Sequence, residues 1–173
     1  MFARHRAAGR TLRGLRILRS DADRWGMVVG GNLLTHYNYH KCEAALREGG
    51  ERLEVHVRTR DGRGDLDVAA DRQEGAVLPP GSPFADWREA RRFAGPLPWT
   101  FDYEVQTRSI VRIKGVREHW EPRPVALERV WSAFLEGPAF GGARPVLASA
   151  FHTRGIDYRW ERGVREPIAG EAA

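Results

Sequence analysis

At 173 residues, 42% of them hydrophobic and 29% charged, the chain is long enough for one real core and too apolar for wholesale disorder. Its net charge of +5 is carried almost wholly by arginine interleaved with Asp and Glu, with Lys41 and Lys114 the only lysines, and no nucleic-acid motif accompanies it, so the charge reads as a solvated surface rather than a nucleic-acid footprint. No apolar run approaches the ~20 residues of a bilayer span, the start Met-Phe-Ala-Arg-His-Arg has no apolar signal stretch, and the single Cys42 allows no internal disulfide; a cytoplasmic protein without a membrane partner is expected.

In chain order, residues 11–19 alternate apolar and basic side chains (Leu12, Leu15 and Ile17 among arginines) and predict a strand. Ser20 and Asp23 have capping-box spacing and predict a short helix from about Asp21, weakened by Gly26, Gly30 and Gly31 but able to pack closely on a neighbour. Residues 36–46 and 52–60 predict a hairpin around Glu48-Gly49-Gly50, with Leu53, Val55 and Val57 on one face of the second arm. Asp61-Gly62-Arg63-Gly64 is a turn, and residues 65–70 a third strand.

Residues 74–83, rich in Pro and Gly, form a loop. Ser82 is placed to cap a helix over 84–93 whose buried face is Phe84, Trp87, Ala90 and Phe93. Strands are expected over 100–106, 109–120, 125–134, 146–151 and 156–160. The fold class is therefore α+β, mainly β, with two short helices: one domain over 11–162, with residues 1–10 and 163–173 as flexible termini.

Chemistry concentrates in Leu33-Leu34-Thr35-His36-Tyr37-Asn38-Tyr39-His40-Lys41-Cys42. Strand alternation puts Tyr37, Tyr39, Lys41 and Glu43 on one face and His36, Asn38, His40 and Cys42 on the other. The first face can offer hydroxyl donors and an amine to an acidic or carbonyl ligand; the bland alternative is a half-buried aromatic ladder with a snorkelling lysine. The second face, with His56 from the neighbouring strand, has nitrogen and sulfur donors, but its spacing is no zinc signature and hairpin register decides whether His56 joins it, so no metal is assigned. Cys42 reads as a buried, inert thiol. Further on, Glu118, His119 and Glu121 cluster at a strand end, where alternation keeps Glu118 and His119 on opposite faces unless a bulge intervenes.

The run from Ile17-Leu18-Arg19-Ser20-Asp21 through Gly31-Asn32-Leu33-Leu34-Thr35-His36-Tyr37-Asn38-Tyr39-His40, residues 88–99, and His119-Trp120-Glu121-Pro122-Arg123-Pro124-Val125 together resemble the YqjF-like family of uncharacterised proteins, over about residues 11–162. The resemblance implies an acetoacetate decarboxylase-like β-cone or barrel around a small-molecule cavity, here lacking the family's strands before Thr11. Acetoacetate decarboxylase uses a lysine Schiff base, its amine kept neutral by its surroundings. The resemblance aligns that enzyme's lysine pair with Tyr39 and His40, so Schiff-base decarboxylation is not expected. The leading expectation is a small-molecule-binding domain lined by Tyr37, Tyr39, Lys41, His119 and Trp120, with no cofactor. Two alternatives stand beside it. One is a lysine-dependent enzyme acting on a keto acid or other carbonyl compound, with Lys41 as nucleophile and His40 or His119 moving protons. The other is an interaction protein that forms homo-oligomers through exposed strand edges.

Overall fold

The computed structural model describes residues 1–7, 9–34, 37–72, 77–95, 97–104 and 107–168. Strands β1 (Phe2–Ala7), β2 (Arg10–Leu15) and β3 (Ser20–Ala22) precede helix α1 (Trp25–Leu34). Then come β4 (Tyr39–Gly49), β5 (Arg52–Thr59), β6 (Leu66–Asp71), α2 (Trp87–Ala94), β7 (Trp99–Glu104) and β8 (Ser109–Glu118). The remainder is β9 (Arg123–Pro124), β10 (Ala126–Ser132), α3 (Ala133–Glu136), a 3-10 turn at Pro138–Phe140, β11 (Phe151–His152), β12 (Asp157–Trp160) and β13 (Val164–Pro167). The mainly β class is as expected, with a third, four-residue helix beyond the two foreseen.

Two sheets carry the fold, and neither closes into a barrel among the described residues. The first runs β1-β2-β7-β8, with β12 and β13 sharing the outer edge of β8. Its one parallel junction, Gly14 against Trp99, requires glycine, because a Cβ at Gly14 would overlap the Trp99 carbonyl and the Phe101 ring. The second runs β10-β6-β5-β4-β3, with the β4–β5 hairpin pairing from Cys42–Thr59 to Gly49–Arg52 around the expected turn. A pair of two-residue strands, β9 and β11, forms a third patch.

Phe2–Ala7 and Val164–Pro167, expected in flexible termini, are strands. β1 pairs with β2 along its length, β13 pairs with β8, and their side chains meet: His5 Nε2 lies 2.7 Å from Glu166 Oε2, and Arg112 Nη2 2.7 Å from Glu166 Oε1. In a flat sheet four strand steps of ~4.8 Å would hold β1 and β13 about 19 Å apart, beyond what an imidazole and a carboxylate bridge. The first sheet is therefore strongly curled.

Both main helices depart from the sequence expectation. Ser20–Ala22 is strand, paired in parallel with Tyr39–Lys41, and the helix begins only at Trp25. The second helix starts at Trp87, capped by Asp86, whose carboxylate accepts from Glu89 N at 2.7 Å; Ser82 instead donates to Ala148 O at 2.6 Å. An Asp three residues before Glu outcompetes the serine because Glu89 reaches back to Ala85 N, completing a reciprocal cap. The expected strands over 125–134 and 146–151 shrink to β10 and β11.

Two small clusters stand out in the core among the described residues. Tyr37, Val111 and Ile113 gather Ile17 and Tyr39 against the first sheet; Leu53, Ala70 and Val125 gather Val55, Leu127 and Ala150 at one end of the second. Among the described residues no large side chain is fully buried.

Candidate functional site

The residues singled out by sequence do not share one cavity. Tyr37 is 5% exposed, its hydroxyl bonded to Thr100 Oγ1, and burial pushes its phenol up to about 12. It is a core residue that precedes β4, because Asn38 adopts a left-handed φ of 49° and breaks the expected alternation. Tyr39 packs beside it, its ring 6.1 Å from that of Tyr37, and burial raises its phenol too. Thr35 and His36 lie outside the described residues.

Lys41 and His40 line a cleft of about 800 Å³ with Trp25, Cys42, Thr59 and Asp61. Lys41 Nζ donates to Cys42 O at 2.6 Å. Burial and the nearby Asp21 and Asp23 raise the Cys42 thiol, so it stays protonated, as an inert thiol should. The hairpin register sets Cys42 opposite Thr59 and Ala45 opposite His56, which puts His56 on the other face, where it donates to Asp67 at 2.6 Å.

His119 lies elsewhere. It has a φ of 57°, a conformation that costs a non-glycine residue energy and that swings the chain out of β8 toward β9. Trp120 lies under the Arg117 guanidinium, 5.5 Å from the ring centroid, with its indole nitrogen buried and unbonded. His119, but not Trp120, lines a cleft of about 670 Å³.

That cleft is built from four chain segments: the β4–β5 turn (Gly50, Glu51), the end of β6 (Arg72), the link from β8 through β9 (His119, Glu121, Arg123) and β11 with its exit (His152, Thr153, Arg154). The β9–β11 register places Arg123 directly opposite His152, so the two side chains share a face. Glu48 holds two of the arginines, bonding Arg72 Nη1 at 2.8 Å and also Arg154. Burial, then the neighbouring Arg154 and Arg72, lower the His152 imidazole, leaving it neutral at pH 7. The Thr153 hydroxyl is buried without a partner.

Sequence reasoning found His119 and the segment bearing Arg123 but missed Arg72, His152 and Thr153. The one signal was local: the polar run His152-Thr153-Arg154 directly after an apolar stretch and just before Gly155.

These features define a mainly β protein of open, mixed sheets with a polar cleft at one sheet end. Comparison with family models, curated proteins and solved structures finds no match. No helix is long and apolar enough to cross a membrane among the described residues.

Proposed function

We propose that the chain is a small-molecule-binding domain without Schiff-base decarboxylase activity, and that the cleft between Arg72, Arg123, His119 and His152 takes a small molecule bearing an oxyanion, a carboxylate or a phosphate. The observation that carries the reading is the meeting of three arginines and two histidines in one cleft, where they outnumber the lining carboxylates Glu51 and Glu121. Arginine suits such a ligand because its planar fork matches two oxygens at once. Membership of the YqjF-like group, with its acetoacetate decarboxylase-like cone, rests on the resemblance; the curl of the first sheet supports it.

Titration calorimetry with sulfate, phosphate and succinate separates the oxyanion classes. Arg123→Ala should weaken the preferred anion about tenfold, the worth of one charge-assisted hydrogen bond. Equal affinity in the variant, or no binding of any of the three at millimolar concentration, would sink the reading.

The lysine-dependent alternative is favoured by one observation, that Lys41 and His40 line a single cleft. Borohydride trapping with a keto acid, read by intact mass, tests it. An adduct on Lys41 would establish the enzyme, and its absence would leave the binding domain standing. Homo-oligomers through strand edges remain a further proposal, supported by the outer edge of β1, which pairs with no strand among the described residues.

A further inference from the structure

Strands β1 and β2 set two like charges against each other. Their register puts Arg4 directly opposite Arg13, with Phe2 opposite Leu15 and Arg6 opposite Thr11 on the same face. Opposed like charges in an antiparallel pair, with Cβ atoms ~5 Å apart, destabilise it. Both arginines are exposed, and neither has an ion-pair partner among the described residues. The carboxylate that β1 does reach, Glu166, is bonded by His5, which alternation puts on the other face, and by Arg112.

The two arginines border a groove of about 270 Å³ between the strands and the end of α2. Phe2, Arg4, Arg13, Gly14, Phe93 and Leu97 line it, and no carboxylate does among the described residues. Phe2 and Phe93 make its apolar wall: their ring centroids are 4.5 Å apart, yet the residues are 48% and 43% exposed. The wall is held in place. Met1 O accepts from Arg16 N at 2.7 Å and the Met1 amine donates to Arg16 O at 3.0 Å, which keeps Phe2 in register, and the Phe93 ring packs 5.3 Å from that of Phe84. The one acidic side chain within α2, Glu89, turns back to accept from Ala85 N at 2.8 Å.

We propose that this groove binds a free fatty carboxylate of roughly six to eight carbons, its head between Arg4 and Arg13 and its tail along Phe2, Phe93 and Leu97. Charge selects the head. One anion between two opposed guanidiniums offsets their repulsion, and each planar fork matches the two oxygens of a carboxylate. Size selects the tail. At ~30 Å³ for each water-sized unit, a groove of 270 Å³ holds the nine non-hydrogen atoms of a heptanoate ion. A plain oxyanion would leave the two phenylalanine rings wet, and a drug-sized ligand needs a larger cavity. The groove shares no lining residue with the cleft at Arg123, so the two sites stand or fall separately.

Titration calorimetry on the full chain with the series from butanoate to octanoate reads both halves of the site. Affinity should rise about two- to fourfold with each added methylene, the range between half and full burial of that group. Arg4→Gln combined with Arg13→Gln should weaken octanoate at least tenfold and leave the increment per methylene unchanged. That variant should fold, as circular dichroism would show, because it removes a repulsion between exposed side chains. Phe93→Ser should flatten the increment instead. Octylammonium, with the same tail and the opposite charge, should not bind the wild type, and this arm needs no variant. Arg123→Ala should bind octanoate as the wild type does. No octanoate binding at millimolar concentration overturns the proposal, as does an affinity independent of chain length. Equal binding of octylammonium, full affinity in the double arginine variant, or loss of octanoate in Arg123→Ala overturns it as well.

Discussion

Asn32 holds both backbone groups of Tyr39: its Nδ2 donates to Tyr39 O at 3.0 Å, and its Oδ1 accepts from Tyr39 N at 2.6 Å. One amide side chain thus stands in for a neighbouring strand where the chain leaves α1 and enters β4. Asn32→Ala should cost about 1 kcal/mol in denaturant unfolding, the net worth of exposed hydrogen bonds. Asn32→Asp, which keeps the acceptor and loses the donor, should fall between.

Two adjacent glycines of α1 should respond in opposite directions. At Gly30 an added Cβ meets nothing within 4 Å, so Gly30→Ala should stabilise by roughly 0.5–1 kcal/mol through reduced freedom of the unfolded chain. At Gly31 the same Cβ would overlap the Tyr39 ring, so Gly31→Ala should destabilise by about 1–3 kcal/mol. Paired thermal melts check the contrast.

Acid should weaken the fold in two stages. His152 has its proton affinity lowered by burial and by Arg154 and Arg72, so the unfolded chain binds that proton first and stability begins to fall below about pH 6.5. Asp61 beside Arg19, Asp67 beside His56 and Arg58, and Glu166 beside His5 and Arg112 are all held below their ordinary values. Their contributions are complete above the unfolded values of 3.8 for Asp and 4.5 for Glu, and are lost as pH falls through the folded ones. Denaturant midpoints across the acid range read both stages, and His152→Gln should remove the first alone.

At the alkaline end the signs reverse. Tyr37 and Tyr39 are raised by burial, so the folded chain keeps those protons when the unfolded chain loses them. The stability this gives is complete below pH 10 and declines as the pH rises through about 12 for Tyr37. Phenolate absorbance should show Tyr37 and Tyr39 ionising above pH 10, and Tyr37→Phe should remove the last step.

Sulfate keeps its charge across the neutral range, so its affinity for the His152 cleft should rise as pH falls through a value below 6.5, when the imidazole gains its proton. Calorimetry with wild type and His152→Gln isolates that increment. A pH-independent affinity in the wild type would show that His152 does not face the anion.

The β4–β5 hairpin and its turn were legible because apolar alternation and Gly49-Gly50 are local signals, and local signals also located α2 to within a few residues. The site was not legible, because its parts come from four segments whose meeting depends on register. Tyr37 and Lys41 fit one strand face by periodicity, but the left-handed turn at Asn38 sends Tyr37 into the core. No residue type announces that turn strongly enough to read in advance. Arg123 and His152 become partners only through a two-residue ladder spanning 29 positions of sequence, which no periodicity encodes.

Along the outer edge of β8, β12 and β13 run in the same direction but fall one residue out of step: Trp160 pairs with Gly115, while Val164 pairs with Arg112. The extra residue in the link 161–163 swaps the parity of everything after it. Glu166 consequently emerges beside Arg112 and within reach of His5; on an unbroken count it would have been driven toward Val111 and Ile113, into the apolar cluster. A single-residue deletion in that link is thus equivalent to turning β13 over, burying one carboxylate and uncoupling β13 from β1.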